Sequence, residues 1–205
     1  MSIKERILAA HLNPHELEVY KFILNEYTDG KVPTLKSISE AFKVNTKQNL
    51  EEILRKLQGN DLLTVKGEEI INAYPYSSIE TPHKVIFEDN KEVYALCATD
   101  SIGIHFMTKN NIKIESICPQ CGKKIKVQVK DGEISAGNGH EIIEFISYQN
   151  RGLNTAENLC PLLNFFCSID HLKKWKKENP ELKRGMVLNL QEALELSKKV
   201  FGDLI

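Results

Sequence analysis

Cys97 and Asp100 stand three residues apart in Tyr94-Ala95-Leu96-Cys97-Ala98-Thr99-Asp100-Ser101. The Leu and Ala residues around them predict a helix, and that spacing on a helix puts a thiol and a carboxyl on neighbouring positions of one face. A soft nucleophile beside a proton carrier is an arrangement for chemistry. Taken alone, Cys97 also has a plainer reading as a buried core cysteine. Cys160 lies 63 positions on, in Asn158-Leu159-Cys160-Pro161-Leu162-Leu163-Asn164-Phe165-Phe166. The two thiols form one site only if the fold returns Cys160 to Cys97. A Cys–His pairing with His105 or His140 is the rival, but no Gly-rich nucleophile motif accompanies Cys97. His11, His15, His83 and His171 sit among polar residues and are expected at the surface.

Cys118-Pro119-Gln120-Cys121-Gly122-Lys123 has the shape of half a zinc ribbon. A tetrahedral site takes four ligands, and there is no second CxxC. His140, His105 or Cys167 would complete it at no recognised spacing. The expectation is therefore a tight turn carrying two structural thiols, without a required zinc ion. Cys167, in an apolar strand, is expected to be a small core residue rather than a ligand.

These residues sit in a chain of 205, long enough for two domains, with 41% hydrophobic residues to bury. The 27 basic and 28 acidic residues nearly balance, whereas avid nucleic-acid binders usually carry a basic excess. No apolar run approaches the roughly 18 residues that cross a bilayer, and the start, Met1-Ser2-Ile3-Lys4-Glu5-Arg6, has no signal-peptide core. A cytoplasmic protein is expected, with no membrane partner. Five cysteines, an odd number, fit free thiols, ligands or nucleophiles in a reducing compartment better than a disulfide framework.

Helical periodicity runs from Pro14 to Tyr27, with Leu17, Tyr20, Ile23 and Leu24 inward. Thr34 caps a second helix to Phe42, and Asn45-Thr46 starts a third to Gly59 with Leu50, Ile53, Leu54 and Leu57 inward. Leu62–Val65 and Ile70–Tyr74 flank Lys66-Gly67 as a hairpin. Three helices and a β-wing predict a winged-helix-like domain over residues 1–79. Its candidate recognition helix offsets Lys47, Arg55 and Lys56 with Glu51 and Glu52, so no nucleic-acid partner is expected. Ser77–Pro82 is the expected join to a second domain, residues 80–205, of mainly antiparallel strands with flanking helices. Strands are expected at Lys84–Glu88, Ile112–Ile117, Lys124–Val129 and Glu141–Ile146. Ser168 and Asn189 cap two further helices. The fold class is α+β.

Val93-Tyr94-Ala95-Leu96-Cys97-Ala98-Thr99-Asp100, then Asn158-Leu159-Cys160 and Asn164-Phe165-Phe166, resemble the organomercurial (alkylmercury) lyase family. Glu115-Ser116-Ile117-Cys118 and the final helix agree with it, whereas Pro161 and the extra Cys121 depart from its pattern. The resemblance implies an enzyme that cleaves a carbon–mercury bond by protonolysis, with Cys97 and Cys160 as the mercury-binding thiols and Asp100 as the proton carrier at the metal. It implies a structural role for Cys118. No cofactor is expected: Hg(II) is the product, free low-molecular-weight thiols are co-substrates, and a mercuric reductase is the expected recipient. A thiol-based metal-responsive regulator and a non-catalytic mercury or soft-metal binder are the alternatives.

Overall fold

Alternation along Ile112–Ile117 and Lys124–Lys130, with every second side chain buried, makes an antiparallel hairpin of the main sheet. In the computed structural model, which describes residues 3–42, 47–137, 141–148, 155–182 and 184–202, these are β6 and β7 of a mixed helix-and-sheet architecture. The helices are α1 (Ile3–Ala9), α2 (Pro14–Thr28), α3 (Leu35–Phe42), α4 (Lys47–Gly59), α5 (Ala98–Thr108), α6 (Thr155–Asn158), α7 (Ile169–Glu178) and α8 (Leu190–Phe201). The other strands are β1 (Leu63–Lys66), β2 (Glu69–Ala73), β3 (Tyr76–Ser77), β4 (Lys84–Phe87), β5 (Glu92–Ala95), β8 (Glu133–Ala136), β9 (Ile143–Ser147), β10 (Leu163–Phe166) and β11 (Gly185–Asn189). Among the described residues, no helix is long and apolar enough to cross a membrane.

Local chemistry accounts for most boundaries. Asn13 and Glu16 form a reciprocal capping box at the start of α2, and Asn189 and Glu192 form another at α8. Thr34 and Ser37 exchange side-chain and backbone hydrogen bonds at the start of α3. Ser168 caps α7 through the His171 amide. The expected start of α4 at Asn45-Thr46 lies outside the described residues. Between Leu63 and Ala73 the expected hairpin forms, and Gly67 takes the positive φ of 64° that its turn requires.

One antiparallel sheet of eight strands, in the order β1-β2-β3-β5-β4-β6-β7-β8, carries most of the molecule. It runs through both sides of the Ser77–Pro82 segment, because Tyr76 and Ser77 pair with β2 on one edge and with Tyr94 and Ala95 of β5 on the other. A second antiparallel sheet has the order β10-β9-β11. Helix α5 is buried from Ala98 to Met107, with its buried Thr99, Ser101 and His105 side chains hydrogen-bonded to Glu144 and to the Ala98 and Asn110 carbonyls. It packs against β5, β6, β10 and α8. Gly103 makes the α8 contact close, since a Cβ there would overlap the Phe201 ring.

Candidate active site

The strand β5 ends at Ala95, and Cys97 follows as the N-cap of α5 with an extended backbone, φ −154° and ψ −179°. The expected helix therefore starts one residue after Cys97, while Tyr94 and Ala95 are strand. Thiol and carboxyl still meet, by capping rather than by stacking on a helix face. The Cys97 sulfur accepts the Asp100 backbone N–H at 3.4 Å, satisfying one of the amides that a helix N-terminus leaves without a partner.

Cys160 reaches the same place from the opposite direction. It opens a single 3-10 turn, Cys160–Leu162, in which Pro161 needs no N–H partner. Asn164 Nδ2 closes that turn by donating to the Pro161 carbonyl at 2.9 Å. Upstream, the backbone N–H of Thr155 in α6 donates to Asp61 Oδ1 at 3.1 Å, and Asp61 in turn holds Arg6 at 2.6 Å. The result is one cluster: the ligand atoms of Cys97, Asp100 and Cys160 lie within 4.8 Å of one another, all buried. The Cys160 thiol donates to Asp100 Oδ2 at 3.6 Å, and the Tyr74 hydroxyl lies 3.8 Å from the same sulfur.

Burial governs the protonation of this cluster. It lifts the Asp100 carboxyl to about 7, against smaller downward pulls from the two thiols and from Arg6. The Cys97 thiol is pushed well up by burial, then by its neighbours Cys160 and Asp100. At Cys160 the hydrogen bond with Cys97 acts downward, but burial and the Asp100 charge outweigh it and the net direction is up. Both sulfurs thus rest as thiols, next to a carboxyl that titrates near neutrality.

Five neighbours were not singled out by the sequence. Arg6 lies over the Tyr74 ring, 4.8 Å from its centre, so α1 walls the cluster. Tyr74 itself is buried, and Tyr20 donates to its carbonyl at 3.4 Å. Thr99, next to Asp100, donates to Glu144 Oε1 of β9, while Glu144 Oε2 is buried with no hydrogen-bond partner among the described residues. Burial lifts Glu144 to about 8. An acidic residue inside the apolar run Ile142–Phe145 was the one available hint. Two clefts flank the cluster. One of about 520 Å³ is lined by Leu96 and Pro161, the neighbours of the two cysteines, and by Thr64, Ile71, Ser77 and Thr81. The larger, about 890 Å³, is walled by Arg6, Asp61 and Thr155.

The family model described as alkylmercury lyase (MerB) matches residues 76–202, which span β3 to the end of α8. The chain belongs to the alkylmercury lyase family. Its relatives include the alkylmercury lyase of Staphylococcus epidermidis, 24% identical over 81% of this chain and 78% of that protein. The alkylmercury lyase of Bacillus cereus is 23% identical over 88% of this chain and 79% of its own length. The crystal structure of the mercury-bound form of MerB2 shares the fold, with a TM-score of 0.78 over 94% of this chain and 93% of that one, at 20% identity.

The other sulfurs of this alkylmercury lyase family member gather elsewhere. Cys118 and Cys121 form the expected tight turn after β6, in which Gly122 N–H donates to the Cys118 carbonyl at 2.9 Å. Cys167 and His171 meet them there. Cys167 is half-exposed beyond the end of β10 rather than in a core strand, and His171 is half-buried against Cys118 rather than free at the surface. His83 also departs from expectation. It is buried, bonded through Nδ1 to Ser116 Oγ at 3.0 Å, and burial lowers it to about 4 despite Asn164. His105 Nδ1 is engaged by the Asn110 carbonyl at 2.7 Å, and His140 lies outside the described residues. His105 joins neither sulfur cluster among the described residues.

Proposed function

We infer that the chain is an organomercurial lyase that splits carbon–mercury bonds at Cys97, Cys160 and Asp100. The observation that carries this reading is the convergence of two buried thiols on one carboxyl, within 4.8 Å, in a chain of this family. Mercury is soft and prefers thiolates. A substrate arriving as R–Hg–SR′ loses its SR′ ligand to Cys97, and the displaced thiolate leaves as the thiol with the Cys97 proton. Cys160 then adds to mercury and gives its proton to Asp100, towards which it already points at 3.6 Å. Extra sulfur density on mercury polarises the bond towards carbon. Asp100 returns the proton to that carbon, as base and then as acid. The hydrocarbon RH departs, and Hg(II) remains bridged by the two sulfurs, so atoms and charge balance.

A carboxyl near neutrality suits this exchange, because it takes and gives a proton with little driving force either way. In this reading free thiols remove the Hg(II) and a mercuric reductase consumes it, both in a reducing cytoplasm. The order α1 to α4 followed by the β1–β2 hairpin supports a winged-helix-like unit over residues 1–79, ahead of a catalytic unit over residues 80–205. That first unit serves as a wall of the site through Arg6 and Tyr74. The deciding experiment is incubation with methylmercury and excess thiol, with methane measured in the headspace. Methane released over many turnovers supports the reading. Stoichiometric mercury uptake without methane would replace it with a soft-metal binder.

A further inference from the structure

We propose that Cys118, Cys121, Cys167 and His171 form a tetrahedral zinc site, separate from the Cys97–Asp100–Cys160 cluster, that ties the two sheets together. The four ligand atoms lie within 4.8 Å of one another. Two of the separations carry more weight than that limit. With zinc–sulfur bonds of about 2.3 Å and zinc–nitrogen bonds of about 2.0–2.1 Å, a tetrahedron places two sulfurs about 3.8 Å apart and a sulfur and a nitrogen about 3.6 Å apart. Cys121 Sγ and Cys167 Sγ are 3.8 Å apart, and Cys118 Sγ and His171 Nδ1 are 3.7 Å apart. Sulfurs joined in a disulfide would instead lie about 2.05 Å apart.

The surroundings also fit a bound cation. The turn after β6 turns the backbone N–H groups of Gln120 and Cys121 onto the Cys118 sulfur, and the Cys167 N–H joins them from the other segment. Such donors stabilise a thiolate, the form in which cysteine binds metal. Cys167 and His171 are four residues apart, with Ser168 as the N-cap of α7 between them. The cap fixes the first helical turn, and the turn presents the imidazole back towards Cys167. A Cys3His set supplied wholly by protein is closed, which marks a structural site rather than a catalytic one with an open position. Thiolate and imidazole ligands in this shape select zinc over hard cations such as magnesium and calcium.

The site would join the β6–β7 turn of the eight-stranded sheet to the segment that follows β10 of the three-stranded one. Cys160 lies just upstream of β10 on that second sheet. Zinc would therefore fix one catalytic segment relative to the other without touching substrate. This inference stands apart from the lyase reading, and its test removes the catalytic thiols.

The background is full-length Cys97→Ser/Cys160→Ser protein, purified without added metal and dialysed. Elemental analysis should find about one zinc per chain. Co(II) exchange should give the intense visible bands of tetrahedral coordination and a thiolate charge-transfer band. Adding Cys121→Ser or His171→Ala, both at positions with solvent access, should abolish stoichiometric zinc and the tetrahedral cobalt spectrum. A chelator should lower the melting temperature of the background protein and leave that of the Cys121→Ser form unchanged. Zinc-free protein that yields no thiolate–cobalt band would overturn the proposal. So would equal zinc retention in the Cys121→Ser and His171→Ala forms.

Discussion

Asp100 carries a proton in the folded protein up to about pH 7, and the role of proton carrier proposed for it can be separated from mercury capture. Asp100→Asn keeps both thiols. It should still take an organomercurial from solution, while hydrocarbon release slows by roughly 100- to 10,000-fold, the usual worth of positioned acid–base catalysis. Cys97→Ser or Cys160→Ser should abolish turnover, and the double variant should add little to that loss. Headspace hydrocarbon and protein-bound mercury, measured on the same samples, distinguish these outcomes. Glu144 gives a second test at this scale. Its folded value of about 8 lies above the ordinary 4.5, as that of Asp100 lies above 3.8. A carboxyl raised in this way binds its proton more tightly folded than unfolded. Its contribution is full below about pH 4 and is lost as pH rises through about 7 to 8. Glu144→Gln removes one of these titrations. It should raise the melting temperature near pH 8.5 by about 5 °C or more and do much less near pH 5, given about 1.4 kcal/mol per pKa unit and roughly 2–4 °C per kcal/mol in a chain of this size. An identical shift at both pH values would show that the fold does not raise the Glu144 carboxyl. The pairing of Cys97 with Asp100 was legible in the sequence from residue type and spacing, whereas the return of Cys160 to them across 63 positions is supplied by the fold. Arg6, Tyr74 and Glu144 were not legible, since nothing local marks a tyrosine as facing a thiol 86 positions away, an arginine as lying over that tyrosine, or a glutamate as bonded to the threonine beside Asp100. His171 was missed because a histidine among lysines looks solvated until its Cys167 neighbour is seen four residues before it.

Helix α5 holds Cys97 and Asp100 at its N-terminus in place because it is buried from Ala98 to Met107, and Gly103 packs against the Phe201 ring. Gly103→Ala would normally favour a helix by about 1 kcal/mol. Here the added methyl meets the Phe201 ring, and overpacking of this kind typically costs about 1–3 kcal/mol. Gly103→Ala should therefore lower stability in a urea or thermal melt, and Phe201→Leu in the same chain should restore part of the loss. A more stable Gly103→Ala protein would mean that α8 moves aside freely. The capped helices α2, α3, α7 and α8 were readable from their first residues, and so were the alternating strands β6 and β7. Strands β3, β8 and β11 were not. Tyr76-Ser77 is too short to show a period, and Glu133–Ala136 is only half-buried. Gly185–Asn189 buries Leu188 alone, so its membership in the sheet comes from pairing with β9 rather than from its own pattern.

Across the whole molecule, the eight-stranded sheet makes residues 1–79 and the remainder structurally dependent on each other. A chain starting near Glu80 would lack β1 to β3, uncover the edge of β5 at Tyr94 and Ala95, and lose Arg6 and Tyr74 from the site. It should aggregate and release no hydrocarbon. A monodisperse fragment with the full-length rate would show that the first 79 residues are dispensable. The sequence suggests a join at Ser77–Pro82, and the hydrogen-bonded pairing of Tyr76 and Ser77 with strands on either side leaves no trace in it. The site also gathers groups from Arg6 to Cys160, and this has a consequence in time. A chain being synthesised from its N-terminus presents Cys97 and Asp100 well before Cys160 exists. In the proposed scheme such a half-made molecule would hold a mercurial on one sulfur without the second thiol needed to expel its carbon. A pulse of organomercurial would then poison newborn chains on the ribosome while sparing those already finished, so a cell's protection would depend on enzyme made before exposure.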